Sequence, residues 1–244
     1  MSASRSRVAV TGLGTVNPLG ADVASTWEAA LAGTSTARTL DNDWKESYGL
    51  SVDFACRLVP GALDSLSRPE AKKLDPSGQY AMVAAREAWA DAGSPDVHPT
   101  RLGVVVGSGI GGIWTTLDQW DVVRERGARR VNPFTVPMLM ANSSAANISM
   151  ELGARAGAHT PVSACASGSE AVALGMGMIR DGRADVVVVG GTEASIHPMT
   201  IAAFANIRAL STRVADPEHA SRPYDRSEER RVGKECRSRW SPYH

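Results

Sequence analysis

Residues 161–191 read PVSACASGSEAVALGMGMIRDGRADVVVVGG, and this stretch decides the fold. A strand leads into Pro161-Val-Ser-Ala-Cys165-Ala-Ser-Gly168, a helix is predicted over 166–180, and Gly182 ends it before the run Asp185-Val-Val-Val-Val-Gly190. A continuous valine run bounded by glycine is the pattern of a strand covered on both faces, as in parallel sheets. From Ala171 through Ile179 the helix carries no charge, and a helix without a polar stripe is expected to be buried. Strand, buried helix and strand in succession place the chain in the α/β class.

The same reading extends outward. Val8-Ala-Val10 and Leu102-Gly-Val-Val-Val106 are two further predicted strands. Asp22 to Leu31, Pro76 to Ala92 with Gly93 as a stop, and Asn142 to Leu152 have helical spacing of apolar residues. Thr34 to Pro69 reads as loop-rich and Ser211 to Pro223 as polar and proline-broken, and the chain shows no internal repeat or low-complexity tract.

Arg226 to His244, RSEERRVGKECRSRWSPYH, is polar and without periodicity. It resembles the in-frame translation of a DNA sequencing-library adapter, and 226–244 is expected to be a non-native tail following one domain over 1–225. The tail takes six of the 26 basic and three of the 26 acidic residues, so the body carries 20 against 23 and is mildly acidic. That balance suggests neither nucleic acid nor membrane as a partner. Outside the tail only Cys56 and Cys165 remain, too few for a disulfide framework, and no leader or long apolar span is evident. A cytoplasmic protein is expected.

Cys165 is the residue that suggests chemistry. A thiol at a helix N-terminus sits where the dipole favours negative charge and where unpaired backbone N–H groups can receive an oxyanion. Ser163, Ala164, Ala166, Ser167 and Gly168 leave room for a substrate and allow a sharp turn. The alternative is a small buried hydrophobe, the usual fate of a free cysteine and the reading adopted for Cys56. Gly107-Ser-Gly109-Ile-Gly-Gly112 matches G-x-G-x-x-G after a strand, but Asp118 and Asp121 fall in a predicted helix, so no ribose-holding acid follows a second strand. A close-packing or pocket-lining loop is the better reading. His98, His159, His197 and His219 show no metal-ligand spacing, and no metal is expected.

Several motifs then fall in a familiar order. Val10-Thr-Gly-Leu-Gly-Thr-Val-Asn-Pro-Leu-Gly20, Val106-Gly-Ser-Gly-Ile-Gly-Gly112, Gly153-Ala-Arg-Ala-Gly157, Pro161-Val-Ser-Ala-Cys-Ala-Ser-Gly168, Gly190-Gly-Thr-Glu193, Arg208-Ala-Leu-Ser-Thr212 and Ser221-Arg-Pro-Tyr-Asp225 together resemble the elongating type II β-ketoacyl-[acyl-carrier-protein] synthases, most nearly those of actinobacteria. The resemblance implies a thiolase-like fold, of which this chain would be the N-terminal half of a layered α-β-α-β-α architecture. It implies that Cys165 accepts an acyl group from the phosphopantetheine of acyl carrier protein, so that no separate cofactor is needed. Decarboxylative Claisen condensation with malonyl-carrier would follow.

Ile110, Ala166 and Phe204 fall where the family lines its acyl pocket, and Arg68, Lys72, Lys73 and Arg208 near where it docks its carrier. A homodimer is implied, with Thr160 to Ala164 pairing across a two-fold axis and Pro137 to Met140 approaching the partner's acyl tunnel. The family's two catalytic histidines, lysine and phenylalanine gate follow the Pro-Tyr-Asp segment, and none is matched here. The chain is therefore expected to be inactive in condensation, with the 171–179 helix poorly shielded. Polyketide ketosynthases and cysteine-free chain-length factors are the alternatives. The former usually carry Asp-Thr-Ala-Cys-Ser-Ser, and Cys165 argues against the latter.

Overall fold

The computed structural model describes residues 7–222; the expected tail and residues 223–225 of the Pro-Tyr-Asp segment lie outside the described residues. In chain order the elements are α1 (Val23–Leu31), β1 (Ala37–Thr39), α2 (Trp44–Tyr48), β2 (Phe54–Cys56), α3 (Arg68–Ala71), α4 (Pro76–Asp91), β3 (Leu102–Gly107), α5 (Ile113–Arg126), α6 (Thr135–Leu139), α7 (Ser143–Leu152), β4 (Ala158–His159), α8 (Ser167–Arg180), β5 (Val186–Gly191) and α9 (Pro198–Asn206). They fall into two units, one of residues 7–29 and 58–195 and the other of 30–57 and 196–222.

The larger unit is built on a parallel sheet of order β4-β3-β5. β3 is central and every residue of it is buried. Because side chains alternate across a strand, its valines serve two cores. Val104 and Val106 pack with Leu74, Ala81 and Met82 of the α4 region and with Ala145 and Ile148 of α7. Val105 faces the other way, onto Ala171 and Met178 of α8 and onto Ala184. The result is a helix–sheet–helix sandwich in which burial of each such valine is worth about 2 kcal/mol. Val104 and Val188 stand opposite each other in the β3–β5 register. Arg101, just before β3, grips the Asp185 carboxylate just before β5 through Nε (3.0 Å) and a terminal guanidinium nitrogen, and so pins the two strands at their N-terminal ends.

Helix boundaries follow local chemistry. Asp75 caps α4 by accepting from the Ser77 N–H, Pro76 occupies the first turn where its missing donor costs nothing, and Gly93 leaves the helix at φ +78°. Asn142 precedes α7 and Gly153 closes it in the left-handed region. Asp22 accepts from the Ser25 N–H at 2.7 Å to start α1.

Three expectations change. Val8 to Val10 form no strand, and Val10 is 80% exposed. The amides just beyond are taken by the flank of α4 instead of a strand, with the Leu13 and Thr15 N–H groups each donating at 2.8 Å to the Asp91 and Glu87 carboxylates. α8 is buried only along Ser167, Ala171, Gly175 and Met178, while Val172 and Leu174 stand exposed, because the sheet covers a single face. β5 likewise is only partly covered, as the edge of the sheet. The missing polar stripe of α8 and the valine run of β5 predict full cover for both, whereas the exposed Val172 and Leu174 fit the poor shielding expected of 171–179.

The smaller unit holds an antiparallel pair, β1 with β2, that the loop-rich reading of 34–69 missed. Leu40, Leu50, Val52 and Ile201 form its core, with Trp44, Phe54 and Leu210 packed around them. α9 opens with Pro198 and a box in which His197 and Thr200 satisfy each other's backbone N–H groups, and Cys56 ends β2 exposed. Among the described residues no helix is long and apolar enough to cross a membrane.

Candidate active site

β3 and β5 are parallel, so their C-terminal ends open on the same edge of the sheet, the place where α/β folds bind ligands. Three segments meet there: the loop of residues 107–112 after β3, the turn of 163–167 before α8, and residues 190–193 at the end of β5. Cys165 lies at the crest of the turn, exposed, two residues ahead of the first helical residue of α8.

The turn is held by its own backbone. Ala164 takes φ +52°, a left-handed conformation that costs a residue with a Cβ about 1–2 kcal/mol. Ser167, 3% exposed, supports it from beneath. Its hydroxyl donates to the Ala164 carbonyl at 2.7 Å and accepts from the Ser163 N–H at 2.9 Å. Gly107 lets β3 approach closely, since a Cβ there would stand 2.3 Å from the Ser167 carbonyl oxygen. Cys165 is thus lifted out of the chain by one strained residue, with a buried serine and a strand end packed behind it.

The glycine loop is filled from within. The Glu193 carboxylate accepts from the Gly109 N–H at 2.7 Å and from the Ser108 hydroxyl at 3.4 Å, while the Ser108 oxygen accepts from the Gly111 N–H at 2.9 Å. The Gly109 N–H is taken by the Glu193 carboxylate and the Gly111 N–H by the Ser108 hydroxyl, so two backbone donors that a dinucleotide phosphate would use are already occupied, which argues against a nucleotide reading of the G-x-G-x-x-G match. Behind the loop, buried Asp75 accepts from the N–H and hydroxyl of both Ser77 and Thr115, so one carboxylate serves the N-termini of α4 and α5. Thr192 donates its hydroxyl to the Ser77 carbonyl at 2.6 Å. Ser167, Glu193 and Asp75 were not singled out from the sequence, because a side chain that bonds to backbone leaves no spacing signature.

The other expected site residues are distributed as follows. Ala166 is exposed beside Cys165 as the residue capping α8, and Ile110 is 46% exposed on the glycine loop. Phe204, 41% exposed, lies on α9 in the smaller unit, as does Arg208 just past that helix at φ +56°. Arg68, Lys72 and Lys73 are exposed on α3 and directly after it, and the Lys73 ammonium lies 5.7 Å from the centre of the Phe134 ring. His159 ends β4 and is exposed. Among the described residues no three His, Cys, Asp or Glu side chains converge as a metal site.

Residues 5–228 match the family described as "Beta-ketoacyl synthase, N-terminal domain". The chain belongs to the β-ketoacyl synthases. Among curated relatives, the 3-oxoacyl-[acyl-carrier-protein] synthase 2 of Mycobacterium bovis is 39% identical over 220 residues, covering 90% of this chain and 53% of that protein. The enzyme of the same name from Staphylococcus aureus is 40% identical over 222 residues, covering 89% and 53%. The chain spans about half the length of these synthases. Among solved structures, a β-ketoacyl synthase from Burkholderia phymatum superposes with a TM-score of 0.78 at 30% identity, over 90% of this chain and 54% of that one. A type II polyketide ketosynthase in complex with its acyl-carrier protein superposes at 0.69 and 26% identity, over 86% and 51%. The fold is that of the thiolase-like ketosynthases.

Proposed function

We propose that this chain carries the acyl-accepting part of a β-ketoacyl-[acyl-carrier-protein] synthase of fatty-acid elongation, with Cys165 as nucleophile. The sulfur of Cys165 attacks the thioester carbonyl of an acyl group on the carrier's pantetheine. The tetrahedral intermediate collapses to acyl-Cys165, and the pantetheine sulfur leaves and takes up a proton. The Cys165 N–H is one arm of the oxyanion hole, where a single donor is worth about 3 kcal/mol. Condensation follows when malonyl-carrier loses CO₂ and its carbanion attacks acyl-Cys165, releasing a 3-oxoacyl-carrier two carbons longer. That step needs groups that assist decarboxylation, and no side chain described around Cys165 supplies them; the 244-residue polypeptide alone is proposed to stop at the acyl-enzyme.

Ile110 and Ala166 line the acyl chain in this proposal, and Arg68, Lys72 and Lys73 face an acidic carrier; Phe204 and Arg208, on the smaller unit, keep the acyl-lining and carrier-facing roles that the resemblance implies. No cofactor beyond the carrier's own pantetheine takes part. The observation that carries the proposal is the exposed Cys165 lifted by Ala164 at the C-terminal edge of the parallel sheet. Fatty-acid elongation is favoured over polyketide assembly by the 39–40% identity to the synthase 2 enzymes, against 26% for the polyketide ketosynthase.

The test is intact-protein mass spectrometry after incubation with acyl-carrier. The expected result is one acyl adduct on the wild-type chain and none on Cys165→Ala. An adduct retained by Cys165→Ala would remove Cys165 from the role.

A further inference from the structure

We infer that Glu193 is a positioning residue for acyl selection: by clamping the glycine loop it sets the height of Ile110 over the Cys165 turn. The inference rests on the acyl-accepting reading of Cys165. Three observations carry it. The Glu193 carboxylate takes the Gly109 N–H at 2.7 Å and the Ser108 hydroxyl at 3.4 Å, so its two oxygens hold consecutive residues of the loop. Ser108 is 3% exposed and its oxygen holds the Gly111 N–H, so the grip extends to both sides of Ile110.

The loop also rests directly on the turn. A Cβ at Gly109 would meet Glu193 Oε2 at 2.9 Å and the Ala164 carbonyl oxygen at 3.4 Å, so carboxylate, loop and nucleophile turn lie in contact with no side chain between them. Ile110 follows immediately, exposed on the same loop.

The two ends of the loop are anchored independently of Glu193. β3 fixes Gly107 through the sheet, and Asp75 fixes Thr115 by accepting from its N–H and hydroxyl. Between those ends the loop is tethered by Glu193, by the Ser108 N–H donating to the Pro161 carbonyl at 3.4 Å, and by the Gly112 N–H donating to the Leu139 carbonyl at 3.2 Å. A hydrogen bond to an ionised acceptor is about twice as strong as a neutral one, so the carboxylate is the strongest tether. Releasing it frees 109–111 to move relative to Cys165 while the Ser108 N–H, the sheet and both helix caps stay in place.

The experiment uses the full-length protein and three forms: wild type, Glu193→Ala and Glu193→Gln. Hydrogen–deuterium exchange over 107–112 and rates of Cys165 acylation by short- and long-chain acyl-carrier are measured for each. In Glu193→Ala, exchange over 107–112 rises about tenfold and the ratio of short- to long-chain rates changes at least about threefold, the loss expected for one charge-assisted hydrogen bond. Glu193→Gln, whose carbonyl oxygen still accepts from Gly109, keeps most of the wild-type ratio. Glu193→Asp, whose carboxylate is one methylene short, carries the same test should Glu193→Ala not fold. Unchanged exchange in the alanine variant, or equal slowing of both chain lengths in all variants, overturns the inference. Wild type that is not acylated at all overturns the reading of Cys165 instead, and the exchange measurement then still reports on the clamp.

Discussion

A single backbone angle decides how Cys165 is presented. Ala164 at φ +52° stores strain that Ser167 offsets with two hydrogen bonds, both made by one hydroxyl buried among packed atoms. Ser167→Ala should therefore lower unfolding stability by about 1–3 kcal/mol, because the Ser163 N–H and Ala164 carbonyl lose their partner. It should also slow Cys165 acylation by more than the stability loss explains. Urea unfolding and acylation kinetics on the same preparation check both; full stability with normal acylation would mean the turn holds itself. The small residues of 163–168 predict a sharp turn, but not the angle at Ala164 or the bonds of Ser167. The sequence places alanine where a left-handed residue would usually be glycine, and a serine within the first turn of a helix reads as ordinary solvent-facing polarity.

At the scale of elements, the long ones were legible and the short ones were not. β3, α4, α7, α8 and β5 follow from valine runs, helical spacing and the stops at Gly93 and Gly182. Those signals are strong because each element buries a face against another. The three-residue strands β1 and β2 are too short to show alternation, and Val8 to Val10 show strand composition without a strand, since pairing depends on a neighbour that composition does not reveal.

The pin between β3 and β5 makes a prediction in acid. The Arg101 guanidinium, by hydrogen bonding, holds the Asp185 carboxyl below the usual aspartate range. A carboxyl whose value is lowered by folding contributes stability above its unfolded value and loses it as pH falls through the lowered one. The stability gap between wild type and Arg101→Leu should be present at neutral pH and close on acidification below the usual aspartate range. Both groups are largely open to water, so the gap should also shrink at high salt. A gap independent of pH would show that the pair contributes only packing.

Two features of the molecule are proposed to meet partners. Lys73 on the larger unit and Arg208 on the smaller are each proposed to face an acidic carrier. Lys73→Glu and, separately, Arg208→Glu should each raise the apparent KM for carrier-borne acyl groups while leaving small pantetheine thioesters unaffected, since long-range attraction acts only on the charged carrier. Equal effects on both substrates would end the docking proposal. The sheet also terminates at β4, a two-residue strand with exposed residues, followed by exposed Val162 at 59%. An open strand edge beside an apolar side chain suits pairing with a second copy. Val162→Lys should shift the full-length protein from dimer to monomer in sedimentation velocity; a wild type that is already monomeric, or a variant still dimeric, rules that edge out.

Glu193 in the glycine loop has one more consequence, for the protein's chemical surroundings. Loops of this shape usually attract whatever phosphate is in solution, and a cell is full of nucleotides and phosphorylated metabolites. Here the chain supplies its own carboxylate at the Gly109 N–H. An anion seeking the Gly109 N–H meets a carboxylate there, so in the proposed acyl transfer the carrier's phosphate is expected to bind elsewhere than this loop.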